Sequence, residues 1–236
     1  MFIPHRIGFL VSWMMALSVP ASVVPQSADG SDGFGVFASS GGNGGSSGTF
    51  TGASDIGNPS WGFFASDGEL AEALFDLAGG ALTVGQSVSL DIDNGNIQSG
   101  GTVGVGFQNA STGNRLEFFF VGGDSNYTYL DNGGSQDSGI GFTSSGINLS
   151  FTLTGTNTYT LDITPAGSGS TQISGTLGGT TGNGVDRIRF FNFNGGAGSG
   201  SDFFGNNISV VPEPGVTALF LGGLGIALLI RRRFRR

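Results

Sequence analysis

The sequence predicts an all-β protein, a sandwich or barrel of antiparallel strands, flanked by an N-terminal signal helix and a C-terminal transmembrane helix. Three observations predict it. From Trp61 on, short runs of alternating apolar and polar residues are separated by Gly, Asn, Asp and Ser turns, spaced about 8–12 residues apart as in sandwiches and barrels. Between the termini only one short segment shows helical periodicity. Each end of the chain joins an apolar run to basic residues.

Met1 to Arg6 carries one arginine and the only histidine, His5, and Ile7 to Val19 is mostly apolar. Val19-Pro20-Ala21 then places small residues at the −3 and −1 positions of a cleavage site, so residues 1–21 are expected to be a secretory signal peptide. Ala28 is a second candidate cleavage position. Residues 22–52 form a Gly/Ser-rich entry segment, in which Phe34, Val36, Phe37 and Phe50 predict one or two edge strands. Residues 53–210 form the predicted sandwich. Its clearest strands are Ser87 to Asp93, Val103 to Phe107, Leu116 to Val121, Leu149 to Leu153, Tyr159 to Ile163 and Ile188 to Phe193. In the first of these, Val88, Leu90 and Ile92 share one face while Ser87, Ser89, Asp91 and Asp93 share the other, the pattern of a half-buried antiparallel strand.

Glu69 to Leu77 fits both periods. Leu70, Ala73, Leu74 and Leu77 follow helical spacing, whereas Ala71, Ala73, Phe75 and Leu77 share one face of a strand. The flanking strands favour the second reading. Phenylalanine dominates the aromatics, 21 against three tyrosines and two tryptophans. Sugar-stacking platforms favour rings with a polar edge, so the phenylalanine runs read as core. Trp61 and Tyr127 are the aromatic candidates for ligand binding.

Charge and missing residue types bound the chemistry. Between Ser22 and Val211 three arginines (Arg115, Arg187 and Arg189) stand against sixteen carboxylates, a net charge of −13. Such a surface repels nucleic acid. Without cysteine, the exported fold is held by its core rather than by disulfides. Without His, Cys or Lys in that span there is no Ser-His-Asp triad, no cysteine nucleophile, no typical zinc site and no Schiff-base lysine. A carboxylate pair for glycoside hydrolysis would have to come from Glu69, Glu72, Glu117 and the aspartates, and no catalytic cluster motif links them. Asp91, Asp93, Asn94 and Asn96 near one turn, and Asp131, Asn132 and Asp137 near another, are oxygen-rich calcium candidates, with turn chemistry as the alternative. No other cofactor is expected.

The last 26 residues are the most specific part of the sequence. Pro212-Glu213-Pro214 precedes an apolar run from Val216 to Ile230, and then come Arg231, Arg232, Arg233, Phe234, Arg235 and Arg236. Five of the nine basic residues occupy these final six positions, which orients the C-terminus to the cytoplasmic side. Fifteen helical residues span about 22 Å, short of the ~30 Å hydrocarbon core, so the run suits a transient anchor; a permanent single-pass anchor is the rival. The motif, the run and the arginine cluster, in this order, resemble the sorting signal of PEP-CTERM proteins. That resemblance implies export through a signal peptide and processing by an exosortase. Pro212, Glu213 and Pro214 would be the recognition element and the arginines the orienting charge. The precursor would sit in the inner membrane, and the mature form at the cell surface or in an exopolysaccharide matrix. More loosely, Gly79 to Gly95, Ile188 to Asn194 and Asp202 to Val210 resemble concanavalin A-like and laminin-G-like jelly-roll domains, which implies a jelly-roll sandwich with a closing strand that returns beside the first.

Three functions follow as expectations: a noncatalytic surface or matrix protein contacting polysaccharide, a structural or adhesive element without a specific ligand, and a secreted glycoside hydrolase. The first is preferred.

Overall fold

Alternation of side chains along each strand builds two faces, and the apolar faces of two sheets meet to form the core. The computed structural model describes residues 22–23, 34–40, 42–46, 55–57, 60–77 and 79–211. The signal segment, the Pro-Glu-Pro motif, the apolar run 216–230 and the arginine cluster lie outside the described residues. Among the described residues no helix is long and apolar enough to cross a membrane.

Among the described residues the sandwich has fifteen strands: β1 (Ser22–Val23), β2 (Phe34–Ser40), β3 (Asn43–Ser46), β4 (Trp61–Phe64), β5 (Leu70–Asp76), β6 (Ser87–Asn94), β7 (Thr102–Asn109), β8 (Gly113–Val121), β9 (Asn126–Asp131), β10 (Gly134–Gly141), β11 (Ile147–Leu153), β12 (Thr158–Pro165), β13 (Thr171–Thr176), β14 (Arg187–Phe193) and β15 (Phe203–Val211). A single 3-10 turn, Ser199–Ser201, is the only helical element among the described residues. One sheet has eight strands in the order β13-β12-β11-β6-β15-β4-β3, with β1 also paired to β15. The other has seven in the order β10-β9-β8-β7-β14-β5-β2. Neighbours pair antiparallel, including the closing strand β15, which runs between β6 and β4. The chain is thus an antiparallel two-sheet jelly-roll sandwich.

The ambiguous segment is a strand. In β5, Ala71, Ala73 and Phe75 are buried while Glu72 and Leu74 are half-buried and Asp76 is exposed. Pairing on both sides, to β14 and to β2, supplies hydrogen bonds that outweigh the helix propensity of ELAEALFDL. β2 and β3 lie within the Gly/Ser-rich entry segment and form the edges of the two sheets.

The core interdigitates rings from both sheets. Phe63 of β4 stacks on Phe190 of β14 at 5.8 Å, and Phe107 of β7 stacks on Phe151 of β11 at 4.7 Å. Gly205 in β15 leaves room for this packing, because a Cβ there would stand 2.6 Å from the Phe190 ring. The phenylalanine runs are therefore mostly core. Arg115 is core as well. Its guanidinium is buried, donates to the Gly178 carbonyl and to Asn157 Oδ1, and has no carboxylate partner among the described residues.

Candidate functional site

Strand β14 decides what the outer face of the seven-stranded sheet presents. Ile188, Phe190 and Asn192 point into the sandwich and are buried. Arg187, Arg189, Phe191 and Phe193 therefore lie on the outer face, where Phe191 is covered to 6% exposure. Alternate residues on one face of a strand lie about 7 Å apart, so these four side chains cover about 20 Å in a line. With Arg115 buried, Arg187 and Arg189 are the only cations on the described surface. Phe193 at the end of the line is 45% exposed.

Registers across the sheet place the neighbours. Phe191 pairs with Glu72 of β5 and Gly104 of β7, and Gly104 pairs with Phe119 of β8. Arg189 pairs with Gly106, which in turn pairs with Glu117 of β8. Gly104 gives the strip a bare floor: a Cβ there would collide with the Phe118 carbonyl oxygen and Phe119 Cβ. Gly106 has no side chain, so Arg189 can reach across β7.

The result is a polar chain over four strands. Arg189 Nε donates to Glu72 Oε2 at 2.6 Å and Nη1 donates to Glu117 Oε1 at 3.3 Å. The same guanidinium lies 4.5 Å from the centroid of the Phe191 ring, a cation–π contact. Asn114 Nδ2 donates to Glu117 Oε1 at 2.5 Å, and Gln108 Nε2 donates to Asn114 Oδ1. Burial pushes the Glu117 carboxyl above its ordinary range, against the opposing pull of Arg189 and of the Asn114 and Arg189 hydrogen bonds. Arg187 pairs with the exposed Asp76 at 2.5 Å, and this hydrogen bond raises the guanidinium pKa. Each surface cation among the described residues is held by at least one carboxylate.

Several expected site residues fall elsewhere. Trp61 and Tyr127 are not ligand platforms, because they are 4% and 1% exposed and belong to the core. Tyr127 stacks on Phe118 at 5.2 Å. The carboxylates expected to attract calcium are engaged by protein donors. Asp91 accepts from Asn148 Nδ2 at 2.7 Å and Asn207 Nδ2 at 2.6 Å. Asp93 is buried and accepts the Asp55 N–H at 3.0 Å; burial raises its pKa. Asp131 accepts from Gly133 N–H, Gln136 Nε2 and the Tyr159 hydroxyl. Among the described residues no three His, Cys, Asp or Glu side chains stand together as a metal site. Asp91 thus clamps β6 to β11 and β15, Asp93 holds the segment before β4, and Asp131 closes the β9–β10 turn. Glu69 closes the 66–69 turn by accepting the Ser66 N–H at 2.7 Å, whereas Glu72 and Glu117 do come together, on Arg189.

Arg189 itself carried no motif. Its partners lie 117 and 72 residues away in sequence, and only the β5–β14–β7–β8 strand order unites them.

No family model matches the chain, and neither does any curated protein. Among solved structures, a marine PL-14 alginate lyase from Aplysia kurodai is similar at TM-score 0.51 and 14% identity, over 84% of this chain and 100% of that one. The galectin LEC-6 of Caenorhabditis elegans matches at TM-score 0.40 and 12% identity, over 58% of this chain and 88% of that one. An alginate lyase from Klebsiella pneumoniae matches at TM-score 0.41 and 8% identity, over 66% and 81%. At these identities the likeness concerns the fold, and the first of the three carries it.

Proposed function

We propose that this chain is an exported, noncatalytic surface or matrix protein whose sandwich contacts polysaccharide through the outer face of the seven-stranded sheet. The observation that carries the reading is the β14 strip. It aligns the exposed Phe193 with the two described surface cations over about 20 Å, and Phe191, 6% exposed, packs against the Arg189 guanidinium between them. An extended line of polar and aromatic groups along a sheet face suits an extended chain of hydroxyl-bearing rings, as a deep pocket would suit a small molecule. The alginate lyase that shares the fold acts by name on a polysaccharide, but at 14% identity this supports the fold and not the activity.

The noncatalytic part rests on Arg189. A general acid must hold a proton beside the substrate, and a nucleophilic carboxylate must be free to attack. Glu72 and Glu117 instead grip one guanidinium between them. Export and sorting rest on the sequence at both ends, with Pro212, Glu213 and Pro214 as the element read by an exosortase-type enzyme. The run 216–230 then serves as a transient inner-membrane anchor oriented by Arg231, Arg232, Arg233, Arg235 and Arg236.

A glycan array probed with the full chain tests the contact, and binding to polysaccharide is expected. An array without binding, with and without calcium, would leave a structural or adhesive element. Mass spectrometry of surface-extracted protein tests the sorting: peptides should end near the Pro-Glu-Pro motif, and recovery of peptides reaching Ile230 would establish a permanent anchor instead.

A further inference from the structure

We propose that the end of the β14 strip carries a subsite for a neutral sugar, built from Asp67, Gln98, Phe193 and Asn194. It rests on the polysaccharide reading and names the point of contact. Asn194 follows the exposed Phe193 directly and stands at φ 56°, a left-handed conformation uncommon for a residue with a side chain. The surrounding bonds hold it there. Its N–H donates to the Glu69 carbonyl at 2.9 Å, and its Oδ1 accepts from the Gly68 N–H at 2.8 Å and from Gln98 Nε2 at 2.9 Å. Gln98 Nε2 also donates to Asp67 Oδ1 at 2.5 Å, while the Gln98 N–H donates to the Gly195 carbonyl at 2.8 Å. The loops 66–69, 95–101 and 194–196 are thereby tied together at one end of the sheet.

What this network leaves over defines the ligand. Asn194 Nδ2, Gln98 Oε1 and Asp67 Oδ2 enter no other hydrogen bond among the described residues. They are one amide donor, one amide acceptor and one carboxylate acceptor, on residues that are exposed or half-buried. Adjacent ring hydroxyls each donate one hydrogen bond and accept others, so they match such a mixed set. The Phe193 ring, 45% exposed on the same strand end, offers an apolar surface to the C–H face of a pyranose. Charge selects the class. Asp67 and Glu69 are the charged side chains of these loops, and no cation stands among them. The nearest outward cation along β14, Arg189, is already bound by two glutamates. A uronate or phosphate would meet repulsion here, whereas a neutral hexose would not.

Microcalorimetry of the full-length chain tests the subsite, with neutral β-glucan and mannan oligosaccharides as probes and alginate oligosaccharides as the anionic contrast. Neutral oligosaccharides should bind, and Phe193→Ala, Gln98→Ala and Asp67→Asn should each weaken binding roughly tenfold, the loss expected for a contact that carries binding energy. Asp67→Asn keeps the shape of the side chain and so reports the acceptor apart from the folding of the loops. Asp162→Ala, on the outer face of the other sheet where Asp162 accepts from Gln172, should leave binding unchanged. Neutral-sugar binding that survives all three substitutions would overturn the subsite and leave the polysaccharide reading standing. Preference for alginate oligosaccharides would overturn the neutral class. Absence of binding to any of the glycans would overturn the polysaccharide reading and the subsite with it.

Discussion

Tyr127 on β9 donates its hydroxyl to Asn94 Oδ1 on β6 at 2.6 Å, a side-chain hydrogen bond between the two sheets within the core. Burial is the main cause that drives the phenol's pKa upward, so Tyr127 stays a neutral donor throughout the physiological range. Tyr127→Phe keeps the ring stacked on Phe118 but leaves Asn94 Oδ1 buried without this donor. It should cost about 1–3 kcal/mol, read as a lower urea midpoint at unchanged slope. An unchanged midpoint would contradict the assignment.

Replacing Arg189 by leucine should destabilise the fold in a pH-dependent way. The Glu117 carboxyl is already held above its usual 4.5 by burial. A folded-state pKa above the unfolded value means that the folded state binds the proton better, so stability falls as pH rises through that window. Without the opposing cation the shift grows. Arg189→Leu should therefore cost about 2 kcal/mol at pH 7, between exposed-pair and buried-pair values, and distinctly less near pH 4. Urea unfolding at both pH values checks this, and a pH-independent loss would contradict it.

Asp202 stands half-buried just after the 3-10 turn, and burial raises its pKa to about 6 from 3.8. The sign follows the same linkage: the ionised form is disfavoured by folding, so its cost is present above about pH 6 and disappears as pH falls toward 4. Asp202→Asn should raise the thermal midpoint at pH 8 and lose that advantage at pH 4. A variant less stable than the parent at pH 8 would contradict this account.

Gly205→Ala places a methyl group 2.6 Å from the Phe190 ring between the sheets. Overpacking of this kind costs about 1–3 kcal/mol, and the thermal midpoint should fall by roughly 3–10 °C. A neutral substitution would show that the Phe63–Phe190–Phe203 cluster is looser than its 5.8–6.3 Å ring spacings indicate.

Strands were legible where one face is solvated. Val88, Leu90 and Ile92 alternate with polar residues, and β6 follows that pattern. Leu70 to Asp76 needed its neighbours, because its residues suit either a helix or a strand and only the pairing to β14 and β2 decides. The site was harder to read. Phe193 reads as core beside Phe190 and Phe191, yet alternation turns it outward to 45% exposure, while Phe191 on the same face is covered to 6%. Trp61 and Tyr127 looked like platforms by residue type, yet their strands face them inward. Arg189, Glu72 and Glu117 meet through contacts made across the sheet, which one sequence without a motif does not encode locally. Asn194 gave a signal only as an Asn-Gly pair, the usual mark of a turn.

Hydroxyl-radical footprinting of the full chain, with and without a neutral polysaccharide, tests the central claim most directly, because two exposed apolar side chains report in one experiment. Phe193 is 45% exposed on the proposed face, and Val84 is 48% exposed in the turn that leads into β6 of the other sheet. Polysaccharide should protect Phe193 from oxidation and leave Val84 unchanged. Equal oxidation of Phe193 in the presence and absence of bound polysaccharide would contradict the account.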